Sequence, residues 1–278
     1  MTEEQSLQTP ALIDVDAIFK KKNPRVYKLL PGFILSYIKR TIHQEEINEA
    51  LTKFKNIYGL DFLAHVLDFY GIKYTTSGEE NIPGDGRFIF VSNHPLGGLD
   101  GMVFLDLIGK HHRNLKFIVN DLLLNLKNLE PVFIPVNKHG RQSVEYVRKI
   151  EELYSSDQQV LYFPAGLCSR KQGNKIMDLE WKKTFIRKAI EHKRDIIPVY
   201  FEGRNSAFFY RLANIRQKLG IKANLEMFYL PDEMFRQKNQ KIHVTIGNPI
   251  PWSHFDESKT NLEWAKEVKK IVYNLSNK

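Results

Sequence analysis

His94 and Asp100 are the two side chains of this sequence whose types and spacing suit acid–base chemistry. They lie in the stretch FIFVSNHPLGGLDG, residues 88–101, with five residues between them. A neutral imidazole takes a proton near neutral pH, and a carboxylate on its other nitrogen fixes the tautomer and stabilises the imidazolium. A structural role fits equally well: Asp100 would cap a helix, and His94 would be a hydrogen-bonded loop residue. This stretch alone leaves both interpretations open.

The same stretch predicts a strand, a tight loop and a helix. Residues 88–91 are apolar and β-prone, Pro95 and the following glycines favour a turn, and a helical apolar pattern begins near Asp100. In open α/β sheets, ligands bind beyond the carboxyl ends of the strands. The predicted position of the His–Asp pair therefore suits catalysis.

The rest of the chain alternates in the same way. Further strands are predicted at 116–119, 132–136, 160–163, 196–201 and 242–246, and helices at 99–110, 141–155, 179–193, 206–219 and 262–275. Short apolar strands separated by helices of this length are typical of an α/β fold. We therefore expect a mostly parallel central sheet flanked by helices.

The N-terminal part has a different pattern. Residues 1–25 predict a loosely held arm, and helical periodicity at 26–42 and 47–70 predicts an N-terminal helical pair within a segment 26–80. The catalytic domain would then be 81–278. The first helix combines an apolar, aromatic stripe with basic neighbours, so it would lie in a membrane interface or pack against the core.

Charge and composition limit the kinds of molecule that the protein is expected to bind. The net charge is +9, which favours an acidic partner such as an anionic membrane or a phosphorylated substrate. No nucleic-acid-binding signature, metal-ligand spacing or transmembrane run is present, and the polar start MTEEQS predicts no signal peptide. The single cysteine, Cys168, excludes internal disulfides and fits a reducing cytoplasm.

Four motifs together resemble the glycerolipid and lysophospholipid acyltransferases. NHPLGGLDG, residues 93–101, is similar to their first motif, in the form with five intervening residues found in the haemolysin-like branch and in O-acyltransferases of ornithine- and glycine-lipid synthesis. VFIPVNKHGRQS, residues 132–143, is similar to the second, FPAGLCSR, residues 163–170, to the third, and IIPVYFEGRNS, residues 196–206, to the fourth. All four occur in the family's order.

The resemblance implies roles for particular residues. His94 and Asp100 would be catalytic. The implied substrate-binding residues are Asn93, Asn137, Lys138, Arg141, Gly166, Ser169, Arg170 and Arg204. Lys138 and Arg141 would bind an anion at a helix N-terminus, or belong to a solvated basic loop. Arg204 would face the ligand or pair with Glu202. Cys168 is interpreted as a small buried side chain and not as a nucleophile.

The resemblance also implies an activity. A fatty acyl group would pass from acyl-CoA or acyl carrier protein to the free hydroxyl of a lysolipid, either lysophosphatidic acid or a lyso-amino-acid lipid, without a metal or other cofactor. The protein would be peripheral, on the cytoplasmic side of the cell membrane, and would bind no nucleic acid. The alternative is a non-catalytic membrane- or lipid-binding protein.

Overall fold

The computed structural model describes residues 12–22, 24–120, 123, 126–136, 144–238 and 241–277, and these form an α/β fold. The strands are β1 (Lys73–Ser77), β2 (Phe88–Ser92), β3 (Leu115–Asn120), β4 (Phe133–Val136), β5 (Gln159–Tyr162), β6 (Arg170–Gln172), β7 (Lys175–Met177), β8 (Asp195–Phe201) and β9 (Lys241–Ile246). The central sheet has the order β1-β9-β8-β2-β5-β3-β4, while β6 and β7 form a separate hairpin. Of the pairings in the central sheet, β8–β9 is antiparallel and the others described are parallel.

The helices are α1 (Val15–Lys22), α2 (Pro24–Leu29), α3 (Gly32–Thr41), α4 (Gln44–Lys53), α5 (Gly59–Phe69), α6 (Gly98–His111), α7 (Val144–Ser155), α8 (Thr184–His192), α9 (Ala207–Lys218), α10 (Leu230–Arg236) and α11 (Asn261–Asn274). No helix in the described part of the chain is long and apolar enough to cross a bilayer.

Both faces of the central strand β2 are buried, which explains its uninterrupted apolar sequence. Phe88 and Phe90 belong to the core cluster that includes side chains of α5 and α6. Ile89 and Val91 belong to the cluster on the other face, with side chains of α8 and α11. Strands covered on both faces read as continuous apolar runs. The structure thus confirms the predicted class, a mostly parallel sheet between helical layers.

The structure differs from the predicted elements at several points. The helix predicted at 179–193 begins only at Thr184, because the Lys182 N–H donates to the Pro164 carbonyl and ties this segment to another loop. The hairpin β6–β7 and strand β1 were not predicted. Strand β1 lies at the edge of the sheet and alternates between exposed and half-buried residues, so it has no apolar run to indicate it.

The N-terminal segment is more closely attached than the predicted arm. Within the described residues, the arm contains α1, and the Ile13 and Val15 N–H groups donate to the side chains of Asn48 and Gln44. Each member of the predicted helical pair is divided, into α2 and α3 and into α4 and α5. Strand β1 also joins the central sheet ahead of the predicted boundary at residue 81.

Three loops meet at one end of the central sheet, beyond the carboxyl ends of three strands. They follow β2, β5 and β8, which are neighbours with Val91 paired to Tyr162 and Ser92 paired to Val199. Because the three strands are parallel, their carboxyl ends lie on the same side. The loops carrying the first, third and fourth sequence motifs are therefore brought together there.

Candidate active site

The His94 and Asp100 side chains are hydrogen-bonded. His94 follows β2, Asp100 lies in the first turn of α6, and 2.9 Å separates His94 Nδ1 from Asp100 Oδ1. The second carboxylate oxygen, Oδ2, accepts from the Leu96 N–H at 2.8 Å. The N-cap of α6 is Gly97, so Asp100 does not have the simple capping role considered above. A fully buried carboxylate thus orients the imidazole and leaves Nε2 on the opposite side of the ring.

The surroundings of His94 favour its charged form. Burial by itself lowers the pKa of His94, but the negative charge of Asp100 and the contact with Cys168 outweigh it, and the pKa lies well above its usual value of 6.5. Phe163 stacks on the imidazole, with ring centroids 4.0 Å apart. The ring is therefore held between an apolar face and a carboxylate, which is the environment expected of a group that holds a proton during a reaction.

A second buried carboxylate, Asp178, supports the His94 loop. Its Oδ1 accepts from the Ser169 hydroxyl at 2.6 Å and from the His94 N–H at 3.2 Å, and its Oδ2 accepts from the Trp181 indole at 2.8 Å. Burial raises the pKa of Asp178, although the hydrogen bonds from Ser169 and Trp181 act in the opposite direction. Asp178 therefore joins the loops after β2 and β5, and the sequence analysis did not identify it.

Ser169 and Asn93 tie the His94 loop to its two neighbours, Ser169 through its backbone and Asn93 through its side chain. The Ser169 N–H donates to the His94 carbonyl at 2.7 Å. The Asn93 amide donates to the Phe201 carbonyl at 2.9 Å and accepts from the Phe201 N–H at 2.7 Å. Both side chains are buried, so the structure gives them positions that hold the site together. Their predicted contact with substrate stays a prediction.

Arg170 is buried, and its guanidinium is paired within the protein. Its guanidinium donates to Glu226 at 2.7 Å and to the Cys168 carbonyl at 2.6 Å, and lies over the Phe209 ring. Glu226 is fully buried and also accepts from Arg216. The Arg–Glu–Arg cluster ties the 3₁₀ turn at Leu225–Tyr229 to the loop after β5. Arg170 thus has a structural role in the free protein, and its predicted contact with substrate stays a prediction.

Replacing Glu226 with alanine is expected to destabilise the fold by about 3–5 kcal/mol, because two buried guanidinium groups lose their carboxylate. Urea unfolding followed by circular dichroism measures this. The matched control is Glu130→Ala, which removes an exposed partner of Lys127 and should change stability by less than about 1 kcal/mol. Equal effects of the two substitutions would contradict a structural role for the buried cluster.

Gly166 and Cys168 complete the loop after β5. Gly166 has φ +64°, a left-handed conformation that favours glycine, and its N–H donates to the Phe163 carbonyl at 2.9 Å. Cys168 is fully buried and interacts with the His94 side chain. It also packs with Phe209 and Tyr210 in a small apolar cluster. The burial agrees with its interpretation as a small packed side chain.

Replacing Cys168 with alanine is expected to leave at least about a tenth of the acyl-transfer rate, because the thiol contributes packing and not a covalent bond. Steady-state kinetics of the purified variant measures this, and intact-protein mass spectrometry of the wild type after mixing with the acyl donor alone should show no added acyl group. A rate lost entirely, together with an acylated wild-type protein, would identify Cys168 as a nucleophile.

The remaining predicted binding residues are placed as follows. Arg204 is exposed in the loop after β8, and its carbonyl accepts from the Gln237 side chain. Asn137, Lys138 and Arg141 lie outside the described residues. The site therefore joins His94, Asp100 and Ser169 directly. Gly166 lies in the same loop as Ser169, and Arg204 lies on an exposed loop at the same end of the sheet.

One cluster away from this site consists of side chains of the types that bind metal ions. Glu151, Glu191 and His192 bring possible ligand atoms within 4.8 Å of one another. The Lys188 ammonium already donates to both carboxylates. Because a protein cation occupies this position, the cluster is a salt-bridge network, and it gives no reason to assign a metal.

Comparison with known proteins agrees with the motif analysis. A family profile described as "Acyltransferase" matches residues 17–278. The lyso-glycine lipid O-acyltransferase of Bacteroides thetaiotaomicron is 51% identical over 265 residues, 95% of this chain and 97% of that protein. The protein of the same name from Phocaeicola vulgatus is 50% identical over 265 residues, 95% of each chain.

A weaker structural similarity was found to the 1-acyl-sn-glycerophosphate (LPA) acyltransferase PlsC of Thermotoga maritima, with a TM-score of 0.46 and 17% identity over 88% of this chain and 93% of that chain. At that level it carries no weight in the assignment. The profile and the two relatives confirm the family resemblance and argue against a non-catalytic protein. Both kinds of match span nearly the whole sequence: the chain belongs to the acyltransferase family and is an acyltransferase.

Proposed function

We propose that this acyltransferase moves a fatty acyl group from a thioester donor to the free hydroxyl of a single-chain glycine lipid. The hydrogen-bonded His94–Asp100 pair carries the proposal, because it supplies an oriented base at the edge of the sheet where ligands bind. The glycine headgroup is suggested by two relatives of about half identity, each named a lyso-glycine lipid O-acyltransferase.

The reaction follows from the orientation of His94. In the neutral ring, Nδ1–H donates to Asp100, so Nε2 carries the lone pair that accepts the hydroxyl proton. As that proton leaves, the hydroxyl oxygen attacks the thioester carbonyl, and the C–S bond breaks when the tetrahedral intermediate collapses. The imidazolium then returns its proton to the departing thiolate. Asp100 stabilises the imidazolium, and backbone N–H groups of a loop turn would stabilise the oxyanion.

The donor is an acyl-CoA or an acyl-carrier-protein thioester, and the chemistry needs no metal or other cofactor. Both substrates would meet at His94, whose side chain is 15% exposed at the carboxyl end of the strands. The reaction takes up and releases no net proton, since the proton taken from the acceptor hydroxyl leaves with the donor thiol.

We also propose that the protein binds a membrane surface peripherally. An exposed apolar face is formed by Leu29, Phe33, Tyr37 and Phe208, and 74% of Phe33 is accessible. These residues come from two parts of the chain, which Tyr229 connects through a Tyr37–Tyr229 hydroxyl contact of 3.0 Å and ring packing against Phe208 at 4.9 Å.

Basic side chains support the choice of a lipid surface. Lys28 and Arg40 lie exposed on the helices that carry this face, and the whole chain has a net charge of +9. Apolar residues flanked by Lys and Arg bind anionic lipid, and the cytoplasmic leaflet attracts such segments. We therefore place the enzyme on the cytoplasmic side of the cell membrane, with no role for nucleic acid.

The activity is tested by supplying the purified enzyme with single-chain lipids and acyl-CoA or acyl carrier protein, and by identifying the product by mass spectrometry. We expect one acyl group to be added to the hydroxyl of the glycine lipid, at a rate well above that with lysophosphatidic acid. Faster acylation of lysophosphatidic acid would reject the proposed headgroup, and no transfer to either lipid would reject the proposed reaction.

Membrane association is tested by sedimentation with vesicles that contain anionic lipid. Phe33→Ser should reduce the bound fraction, whereas Val147→Ser, which changes an exposed apolar residue on α7, should not. Added salt should weaken binding, because part of it is electrostatic. Equal binding by wild type and Phe33→Ser would reject this surface.

A further inference from the structure

A basic cavity lies beside the loop after β8, outside the His94–Asp100 pair. Its volume is about 680 Å³, which is in the range of small-molecule sites. The lining residues used below are Lys171, Arg204, Asn205, Tyr210, Arg211 and Arg236. Tyr210 and Arg211 come from α9, Lys171 from β6 and Arg236 from α10, so helices and a strand fix its walls.

The positive charge in the cavity is largely unpaired. Among the described residues, Lys171, Arg204 and Arg211 have no acidic partner, and Arg236 pairs with Asp232. Glu233 also lines the cavity, but its carboxylate accepts from the N–H and the hydroxyl of Ser206. Several cations with one engaged carboxylate make a site for a group that carries more than one negative charge.

Asn205 gives an independent indication of a ligand. It is 4% exposed, and neither its amide nitrogen nor its amide oxygen has a hydrogen-bond partner within the described part of the chain. The loop is fixed here, because the Asn205 N–H donates to the Tyr210 hydroxyl at 3.0 Å. Leaving a buried amide unpaired is unfavourable. A ligand with its own amide would supply both a donor and an acceptor once the side chains that cover these atoms move aside.

The cavity borders the catalytic loop. A side-chain carbon added to Gly203, next to Arg204, would lie 2.9 Å from Leu96, and Leu96 is two residues from His94. Tyr210 packs with Cys168, which interacts with His94. The cavity and the catalytic loop are thus neighbours through Leu96, Tyr210 and Cys168, and an extended arm would run from one to the other.

We propose that this cavity binds the phosphopantetheine arm shared by acyl-CoA and acyl carrier protein. The arm joins a phosphate to amide groups and ends in the thioester, which matches the cations, the unpaired Asn205 amide and the adjacent base. A glycine headgroup has one carboxylate and fills a small part of the volume. This inference rests on the proposed transfer reaction, and it assigns the donor to a position distinct from that of the acceptor hydroxyl.

The main test compares donors in the Arg211→Gln variant. We expect the KM for palmitoyl-CoA and for palmitoyl-carrier protein to rise about tenfold or more, since a charge-assisted contact to phosphate is lost. The KM for the glycine lipid, and the rate with the palmitoyl thioester of N-acetylcysteamine, which lacks phosphate, should not change. The control is Lys218→Gln, an exposed cation on the same helix and outside the cavity.

A second variant, Asn205→Leu, separates binding from folding. It should raise the donor KM while leaving stability to urea unchanged or higher, because it removes polar atoms that have no partner in the free protein. A loss of stability with an unchanged donor KM would reject a ligand-binding role for Asn205.

The outcomes distinguish this inference from the proposed reaction. A raised KM for only one of the two donors overturns the assignment to the shared arm, because both donors carry it. A raised KM for the glycine lipid, or an unchanged KM for both donors, overturns it. If the wild type transfers no acyl group, calorimetry with CoA alone still decides: weaker binding to Arg211→Gln than to Lys218→Gln supports the cavity, and equal binding overturns it.

Discussion

Replacing His94 with alanine should lower kcat about 10²–10⁴-fold, because the acceptor hydroxyl loses its general base. The KM values should change little, since the imidazole acts on the proton and not on the headgroup or the acyl chain. The reason is geometric: Asp100 holds Nδ1 at 2.9 Å, so removal of the ring deletes the oriented Nε2. Initial rates with saturating donor and glycine lipid measure the effect.

The control for this substitution is His65→Ala, which removes an exposed histidine on α5 whose Nδ1 contacts a backbone carbonyl. It should keep wild-type kcat. Urea unfolding of both variants is needed, because the stacking of Phe163 on His94 also contributes to packing. A folded His94→Ala protein with near-normal kcat would contradict the proposed mechanism.

The elements that position the site were largely readable from the sequence. A buried strand covered on both faces must be apolar throughout, and β2, β5 and β8 show that pattern. Proline and glycine then mark the loop that holds His94. Since parallel strands end on one side of the sheet, the three motif loops were expected at the same end of it. In the structure, β2 pairs with β5 on one side and with β8 on the other, and this pairing puts the three loops next to one another.

The partners of the polar side chains were not readable in this way. Arg170 is an exposed type of residue in a loop motif, and its carboxylate partner, Glu226, lies 56 positions away. Asn93 pairs with a backbone 108 positions away. Local patterns carry no information about such contacts, so the sequence did not indicate these partners.

Asp178 was missed for a related reason. The apolar periodicity after it predicts a helix from 179, which would make Asp178 an ordinary capping residue. In the structure the helix begins at Thr184, and Asp178 turns instead toward Ser169 and the His94 N–H. Only the tertiary contact between two loops reveals its position.

Replacing Asp100 with asparagine should also lower kcat by about 10²–10⁴, because the His94 imidazole would adopt the wrong tautomer. The two carboxylate oxygens accept from His94 Nδ1 and from the Leu96 N–H. Asparagine has one oxygen. If it accepts from Leu96, its NH₂ group faces Nδ1, and the proton of the imidazole moves to Nε2. The nitrogen that should accept the hydroxyl proton is then blocked.

The pH dependence separates this effect from simple loss of structure. His94 works as a neutral base, so kcat/KM in the wild type should rise with pH until the pH passes the raised pKa of His94 and then level off. In Asp100→Asn, burial remains while the main opposing charge is gone, so the pKa falls and the rising limb moves to lower pH. The plateau should also be lower. The control is Asp106→Asn, on the same helix but bound to Tyr74, which should keep the wild-type profile. If the rising part of the kcat/KM profile of Asp100→Asn lies at the same pH as in the wild type, Asp100 does not set the charge state of His94.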